Sequence, residues 1–341
     1  MITRRRMAAV AASIAATATL AACSSGGAAP DASGAAGGGE YVTVVKLQGI
    51  SWFDRMEQGL DATATERGLQ STMVGPDDAS PEKQVKIIQD LIARQPAAIA
   101  VIPLSPQSIE GVLGQAKAAG IKIVTHEAPG QKNADVDIEA FDNTAYGEHM
   151  MENLVQCMGG EGEYVTFVGS LTAASHMEWA EAELAYATTN APGITRVSDP
   201  IETKEDLTAT YERAKEVLAK HPNIKGFVGS AASDVAGIGR AIEEAGLEDQ
   251  TCVMGTSIPS TAGKYVETGA VDKMFFWDPA ITGEVLLTVA DMLAKGETID
   301  AGTDLGIEGY TNLQPVDGAT NTFHGDAWID VDASNLSDYD F

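Results

Sequence analysis

Basic residues are scarce in this chain. Its 22 lysines and arginines face 49 aspartates and glutamates, which leaves a formal net charge of −27 at pH 7. Gripping nucleic acid takes a cationic patch that neutralises phosphates, and so does settling on an anionic membrane surface, so neither is expected. Histidine is rare too. None of the five (His126, His149, His176, His221 and His324) lies three or four residues from another, so a histidine-rich metal site is not expected. Enzyme signatures are missing. There is no Gly-x-Ser-x-Gly elbow and no Gly-Lys-Ser/Thr phosphate loop, and Gly237-Ile238-Gly239 lacks the third glycine of a dinucleotide loop. Ser80 and Lys83 have the spacing of a serine–lysine nucleophile but no partner motifs, and read better as a helix cap. No spacing picks a catalytic pair out of the acids, and no cofactor is implied. No apolar run reaches the roughly 20 residues of a membrane-spanning helix.

Apolar residues make up 44% of the 341, enough to bury a sizeable core in two domains of ~150 residues each. The first 22 residues read as an export signal: Arg4-Arg5-Arg6, the alanine-rich apolar stretch Met7–Leu20, then Ala21-Ala22. Leu20-Ala21-Ala22-Cys23 resembles the lipobox of bacterial lipoproteins, in which the cysteine becomes the lipid-bearing first residue. Residues 23–40, rich in serine, glycine and alanine without periodicity, suit a flexible tether.

From residue 41 onward short apolar runs alternate with helical patterns. Tyr41–Leu47 reads as a strand covered on both faces, succeeded by a helix from Trp52 to Arg67 that Gly68 ends. Further strands lie at Leu69–Val74, Ala97–Pro103 and Ile121–Thr125. Helices between them open at Ser80-Pro81, burying Val85, Ile88 and Ile92, and at Ser105-Pro106. The alternation then repeats, with a helix over Asn143–Met158 and strands at Tyr164–Val168, Thr195–Ser198, Gly226–Val228, Thr251–Met254 and Val271–Phe276; Ser233 reads as a helix cap. Two such arrays mean βαβ units and two parallel sheets. The last forty residues lose the alternation, with a turn at Asp317-Gly318 and one strand candidate, Ala327–Val331.

Parallel strands gather their carboxyl ends at one edge of the sheet, where open α/β folds hold ligands. In the first array that edge carries Lys46, Trp52, Phe53 and His126-Glu127. In the second it carries Ser175, His176, Trp179, Ser230, Ala231, Ala232, Thr256, Ser257, Trp277 and Asp278. Aromatic faces with a few charged hydrogen-bonding groups suit a polyol or sugar. A carboxylate accepts from two vicinal hydroxyls, and a lysine donates to ring or carbonyl oxygen. Each also has a plainer reading: Trp179 and Trp277 as core, Glu127 as a solvated loop acid. Cys157 and Cys252 fall at the opposite, amino edge of the second sheet; a disulfide and two buried thiols are both compatible with that placement.

The order of signal, tether and two βα lobes resembles the type I periplasmic-binding proteins that serve ABC sugar importers, and within them the rhamnose-binding and autoinducer-2-binding branch. VVKLQGISWF, MVGPDDASPEKQVKIIQDLIARQPAAIAVIPLSP, GIKIVTHEAP, FFWDPAITGEV and the terminal SDYDF carry the likeness. It implies two doubly wound lobes joined by three crossovers, 41–141 plus 279–305 and 142–278 plus 306–341, closing on ligand by a hinge. It implies ligand contacts from Lys46, Trp52-Phe53 and Asp278. Glu127 stands where the family usually has aspartate, Ser175-His176 where the autoinducer-2 binders carry Asp-Gln, and Ser230 and Ala232 at their Pro-x-Ala contact. These departures point away from autoinducer-2, toward a deoxyhexose, pentose or polyol. The expectation is a monomeric, lipid-anchored, extracytoplasmic binding protein delivering to an ABC permease. A sensor of autoinducer-2, and a carbohydrate-processing enzyme using Glu127 and Asp278, are the alternatives. Truncating Lys46 or Glu127 is expected to cost about 1–3 kcal/mol of affinity and to leave the empty protein's stability nearly unchanged.

Overall fold

A computed structural model describes residues 39–341; the expected signal, nearly all of the tether and Cys23 lie outside the described residues. The first array runs β1 (Glu40–Val44), α1 (Ser51–Arg67), β2 (Gln70–Val74), α2 (Pro81–Arg94), β3 (Ala98–Val101), α3 (Pro106–Ala118), β4 (Lys122–Thr125) and β5 (Val136–Glu139). The second runs α4 (Asn143–Met158), β6 (Gly162–Val168), α5 (Ala174–Asn190), β7 (Ile194–Arg196), β8 (Ile201–Glu202), α6 (Leu207–Lys220), β9 (Ile224–Gly229), α7 (Ala232–Ala245), β10 (Cys252–Thr256), α8 (Pro259–Glu267) and β11 (Lys273–Phe276). Then come α9 (Pro279–Ala294), β12 (Gln314–Pro315), β13 (Thr322–His324) and β14 (Ile329–Val331). Glu40, assigned to the tether by sequence, opens β1.

Both sheets have the same doubly wound plan. One is ordered β2-β1-β3-β4-β5-β13-β12 and the other β7-β6-β9-β10-β11-β14, with β8 beside β6. All pairings are parallel except β12 with β13 and β11 with β14. In each sheet the connection order reverses beside the first strand, so each opens a crevice at its carboxyl edge, between β1 and β3 and between β6 and β9.

The chain crosses between sheets after β5, after β11 and between β13 and β14, so there are three crossovers as expected. The third lies elsewhere than expected. Residues 306–341 are not one block of the second lobe, because β13 pairs with β5 in the first sheet at Thr322–Asp137 and Phe323–Ile138. Only β14 and the residues after it return to the second. Each crossover supplies an aromatic ring, and the rings meet. Phe141 stands edge-on to Trp277 at 5.1 Å and to Trp328 at 5.6 Å between ring centroids.

Local sequence explains most element ends. Ser80 accepts from the Lys83 amide, with Pro81 in the first turn of α2, and Gly68 closes α1 in the left-handed conformation. α9 docks on α1 at close range: a Cβ on Gly59 would lie 1.9 Å from the Ala280 carbonyl oxygen, so glycine is what lets the backbones meet. Two expectations need correction. α2 buries Gln84, Ile88 and Leu91, while Val85 and Ile92 are half-buried. Gln84 turns inward because its amide donates to the Val45 and Ile102 carbonyls and accepts from the Leu104 amide, tying the ends of β1 and β3 together. At α7 the cap residue is Ala231 rather than Ser233. The Asp234 carboxylate accepts from the Ala231 amide at 2.9 Å, and Ser233 is the second residue of the helix proper.

Cys157, ending α4, and Cys252, opening β10, form a disulfide with 6.0 Å between Cα atoms. It closes the second lobe at the edge away from the crevice.

Candidate functional site

Lys46 lies two residues past β1 and Glu127 two residues past β4, so the parallel register sets them side by side. Lys46 Nζ meets Glu127 Oε2 at 2.6 Å, with both side chains about 95% buried. Burial pushes a carboxyl up, but the lysine overrides it and holds Glu127 down at about 2. Burial likewise disfavours the ammonium, and Glu127 and Glu205 overcome that and raise it. The two are therefore an ion pair. Glu127 is held in the left-handed region at φ 56°, strain of the kind that surrounding structure must impose.

The second lobe closes over this pair. His176, in the first turn of α5, brings Nε2 to 3.4 Å from Lys46 Nζ, and Ser175 donates to Glu127 Oε2 at 3.1 Å. The Gly169 amide donates to His176 Nδ1. Burial, then Lys46, drive His176 down to about 3, and the ring is neutral. Glu205, between β8 and α6, reaches in to 4.0 Å from Lys46 Nζ. A Cβ on Gly169 would lie 2.2 Å from Glu205 Oε1, so glycine there makes room for that carboxyl.

Between the lobes these groups enclose a small cavity. Lys46, Ile50, Trp52, Phe53 and Glu127 line it from the first lobe, and Trp277 from the second crossover. His176, Glu205, Ser230, Ala231, Ala232 and Thr256 line it from the second lobe. Trp52 and Trp277 stand edge to face, 4.7 Å between centroids. The free room is about 20 Å³, enough for roughly one water. The lobes are thus closed on each other here. Three buried polar atoms on the wall have no hydrogen-bond partner: Glu205 Oε1, Ser230 Oγ and Trp277 Nε1. Behind it, His126 Nδ1 donates to the Ile138 carbonyl, and Nε2, also without a partner, lies 4.0 Å from Glu127 Oε1. Such groups are costly to bury unpaired, so the wall has hydrogen-bonding capacity left over.

Of the eleven candidate contacts, eight line this cavity: Lys46, Trp52, Phe53, Glu127, His176, Ser230, Ala232 and Trp277. Three do not. Ser175 stands behind Glu127 as its donor. Trp179 is packed behind His176 and donates to Asn143 Oδ1, so it is core. Asp278 caps α9 and grips Arg55 with both carboxylate oxygens, at 2.9 and 2.7 Å, facing away from the cavity. Glu205 and Ile50 join the wall without having been expected. Glu205 comes after a strand of two residues, too short to mark a sheet edge in the sequence.

Two lobes, three crossovers and a polar, aromatic-walled crevice between them define a hinged binding protein. Residues 41–298 match the family of the periplasmic binding protein domain, and the chain belongs to that family. It is therefore an extracytoplasmic binding component rather than an enzyme. Among relatives, the D-allose-binding periplasmic protein of Escherichia coli (strain K12) is 26% identical over 271 residues, 76% of this chain and 86% of that protein. Among solved structures, an ABC transporter solute-binding protein from Clostridium phytofermentas with bound L-rhamnose superposes with a TM-score of 0.82. It is 18% identical, covering 89% of this chain and 98% of that one. LsrB from Clostridium saccharobutylicum in complex with AI-2 gives the same TM-score and identity, covering 89% and 100%. At that identity the structures speak to the fold alone. Among the described residues no helix is long and apolar enough to cross a membrane.

Proposed function

We propose that the interlobe cleft captures a small sugar-like ligand, a deoxyhexose, pentose or polyol, and that the protein delivers it to the permease of an ABC importer. The observation that carries this is the wall itself: indole and phenyl faces beside an ion pair and several unpartnered hydrogen-bonding atoms. Hydroxyls satisfy such atoms, and C–H faces of a sugar ring lie against the aromatics. In this reading Lys46, Glu127, His176 and Ser230 contact hydroxyls, while Trp52, Phe53, Ala232 and Trp277 shape the space. Ser175 orients Glu127. The D-allose-binding relative supports a small polyhydroxylated guest.

The delivering protein works as a monomer tethered to the membrane by a lipid on Cys23, with residues 1–22 removed and 23–39 as leash. The lobes are 40–141 with 279–324 and 142–278 with 329–341. A thermal-shift screen of monosaccharides, polyols and autoinducer-2 tests the reading, since a ligand of the folded state raises its melting temperature by mass action. A concentration-dependent rise with one sugar or polyol is expected. A rise with autoinducer-2 alone would replace the ligand class, and turnover of the bound sugar would sink the carrier role.

A further inference from the structure

Charges on the cavity wall do not balance. Lys46 is the one cation among the lining residues, and Glu127 already holds it at 2.6 Å. Glu205 is a second carboxyl on the same wall, 7% exposed, 4.0 Å from Lys46 Nζ, with Oε1 unpartnered. Its backbone is in the left-handed region at φ 58°, next to Lys204 at φ 61°. Two successive non-glycine residues in that region are costly, so the fold spends strain on aiming this side chain inward. His176 cannot serve as its counter-ion, because Nδ1 accepts from the Gly169 amide and the ring is neutral. The same wall carries the indoles of Trp52 and Trp277, and π-faces attract cations.

A carboxyl with no hydrogen-bond partner and aromatic rings around one small space are how proteins hold ammonium groups. We propose that Glu205 selects, among sugar-like guests, those with a basic nitrogen: an amino sugar or amino-polyol whose ammonium pairs with Glu205 while its hydroxyls meet Lys46 and Glu127. The inference rests on the reading of the cleft as a sugar-binding site and sharpens it. Burial, opposed by Lys46, brings the Glu205 carboxyl up to about 7, so it is poised to ionise fully when a cation arrives. With a neutral sugar it stays protonated in part and donates to a hydroxyl instead.

Titration calorimetry on the exported chain at pH 7.5 decides between these. The probes are 2-amino-2-deoxyhexoses and 1-amino-1-deoxypolyols, each beside its neutral hydroxyl parent. The expected result is at least one pair in which the amine binds tenfold or more tightly than its parent. Glu205→Gln should then weaken the amine tenfold or more and the parent less than threefold. Parents that bind as tightly as their amines in the unsubstituted protein overturn the inference and leave the sugar reading standing, with no variant required. A preference that survives Glu205→Gln overturns Glu205's part in it. Failure of every amine and every parent to bind removes the sugar reading and this inference together.

Discussion

On the first lobe's side of the cleft Lys46 and Glu127 hold each other at 2.6 Å; on the second lobe's side Glu205 Oε1 and Ser230 Oγ have no hydrogen-bond partner. The sheets that carry these walls share one doubly wound plan, so the contrast is one of side chains and not of scaffold. A wall whose charges are already paired is preorganised, and it loses little when the cleft opens. A wall with unpartnered buried atoms gains when a guest supplies partners. In the proposed reading the first lobe sets the shape of the site, and the second decides what fills it. The lobes differ also at their far edges. The second is closed by the Cys157–Cys252 disulfide, and the first contains no cysteine among its described residues.

Removing the first lobe's cation should have the largest effect. Lys46→Met keeps the length of the side chain and leaves Glu127, 5% exposed, without its partner. Orphaning one member of a buried pair costs about 3–5 kcal/mol. Denaturant unfolding of the empty protein should show that loss, and calorimetry should show binding reduced beyond a hundredfold. The expectation from sequence is that such variants spare the empty protein; the burial of both partners points the other way. Unchanged stability would mean that Lys46 leaves Glu127 and reaches water in the empty state, and that neither wall is preorganised.

Next in size is the staple. A Cys157→Ser/Cys252→Ser double variant releases a loop spanning a sequence separation of 95, and should destabilise the protein by about 2–4 kcal/mol. Ligand affinity should stay within twofold, because the bond sits at the amino edge and the cleft at the carboxyl edge. Comparable loss in affinity would show that the far edge of the second lobe governs its near wall.

The sequence made much of this legible. Lys46, Trp52, Phe53 and Glu127 stand beside apolar strands and well-ended helices, so their strand-end positions can be read from periodicity. β5 escaped because Val136-Asp137-Ile138-Glu139 alternates acids into a buried strand; Asp137 finds the Thr125 hydroxyl, and Glu139 the Ala128 amide and the Asn143 side-chain amide. Pairing of that kind depends on neighbours in other elements. β13 escaped for a related reason, since three residues join the first sheet only because β5 offers an edge. Glu205 escaped because Lys204-Glu205-Asp206 resembles any polar helix start, and only the fold shows that its second member turns inward.

The smallest effect should come from Asp278, and it separates the cleft from its hinge. Asn caps a helix about as well as Asp, so Asp278→Asn keeps the hydrogen bond to the Ala280 amide and removes only the charge opposite Arg55. Arg55 is partly exposed, and its guanidinium also lies 4.1 Å from the centroid of the Phe341 ring, so it keeps a resting place on the second lobe's tail. An ion pair in that setting contributes about 1 kcal/mol or less. Stability should fall by no more than that, and affinity should not move beyond twofold, since neither oxygen reaches the cavity. Arg55 belongs to α1 and Asp278 caps α9, which packs on α1, so the pair lies in the first lobe beside the second crossover, and it is Arg55's contact with the Phe341 ring that reaches the second lobe. If affinity instead drops tenfold with stability intact, the hinge pair is setting the balance between open and closed lobes, and the two walls are not independent.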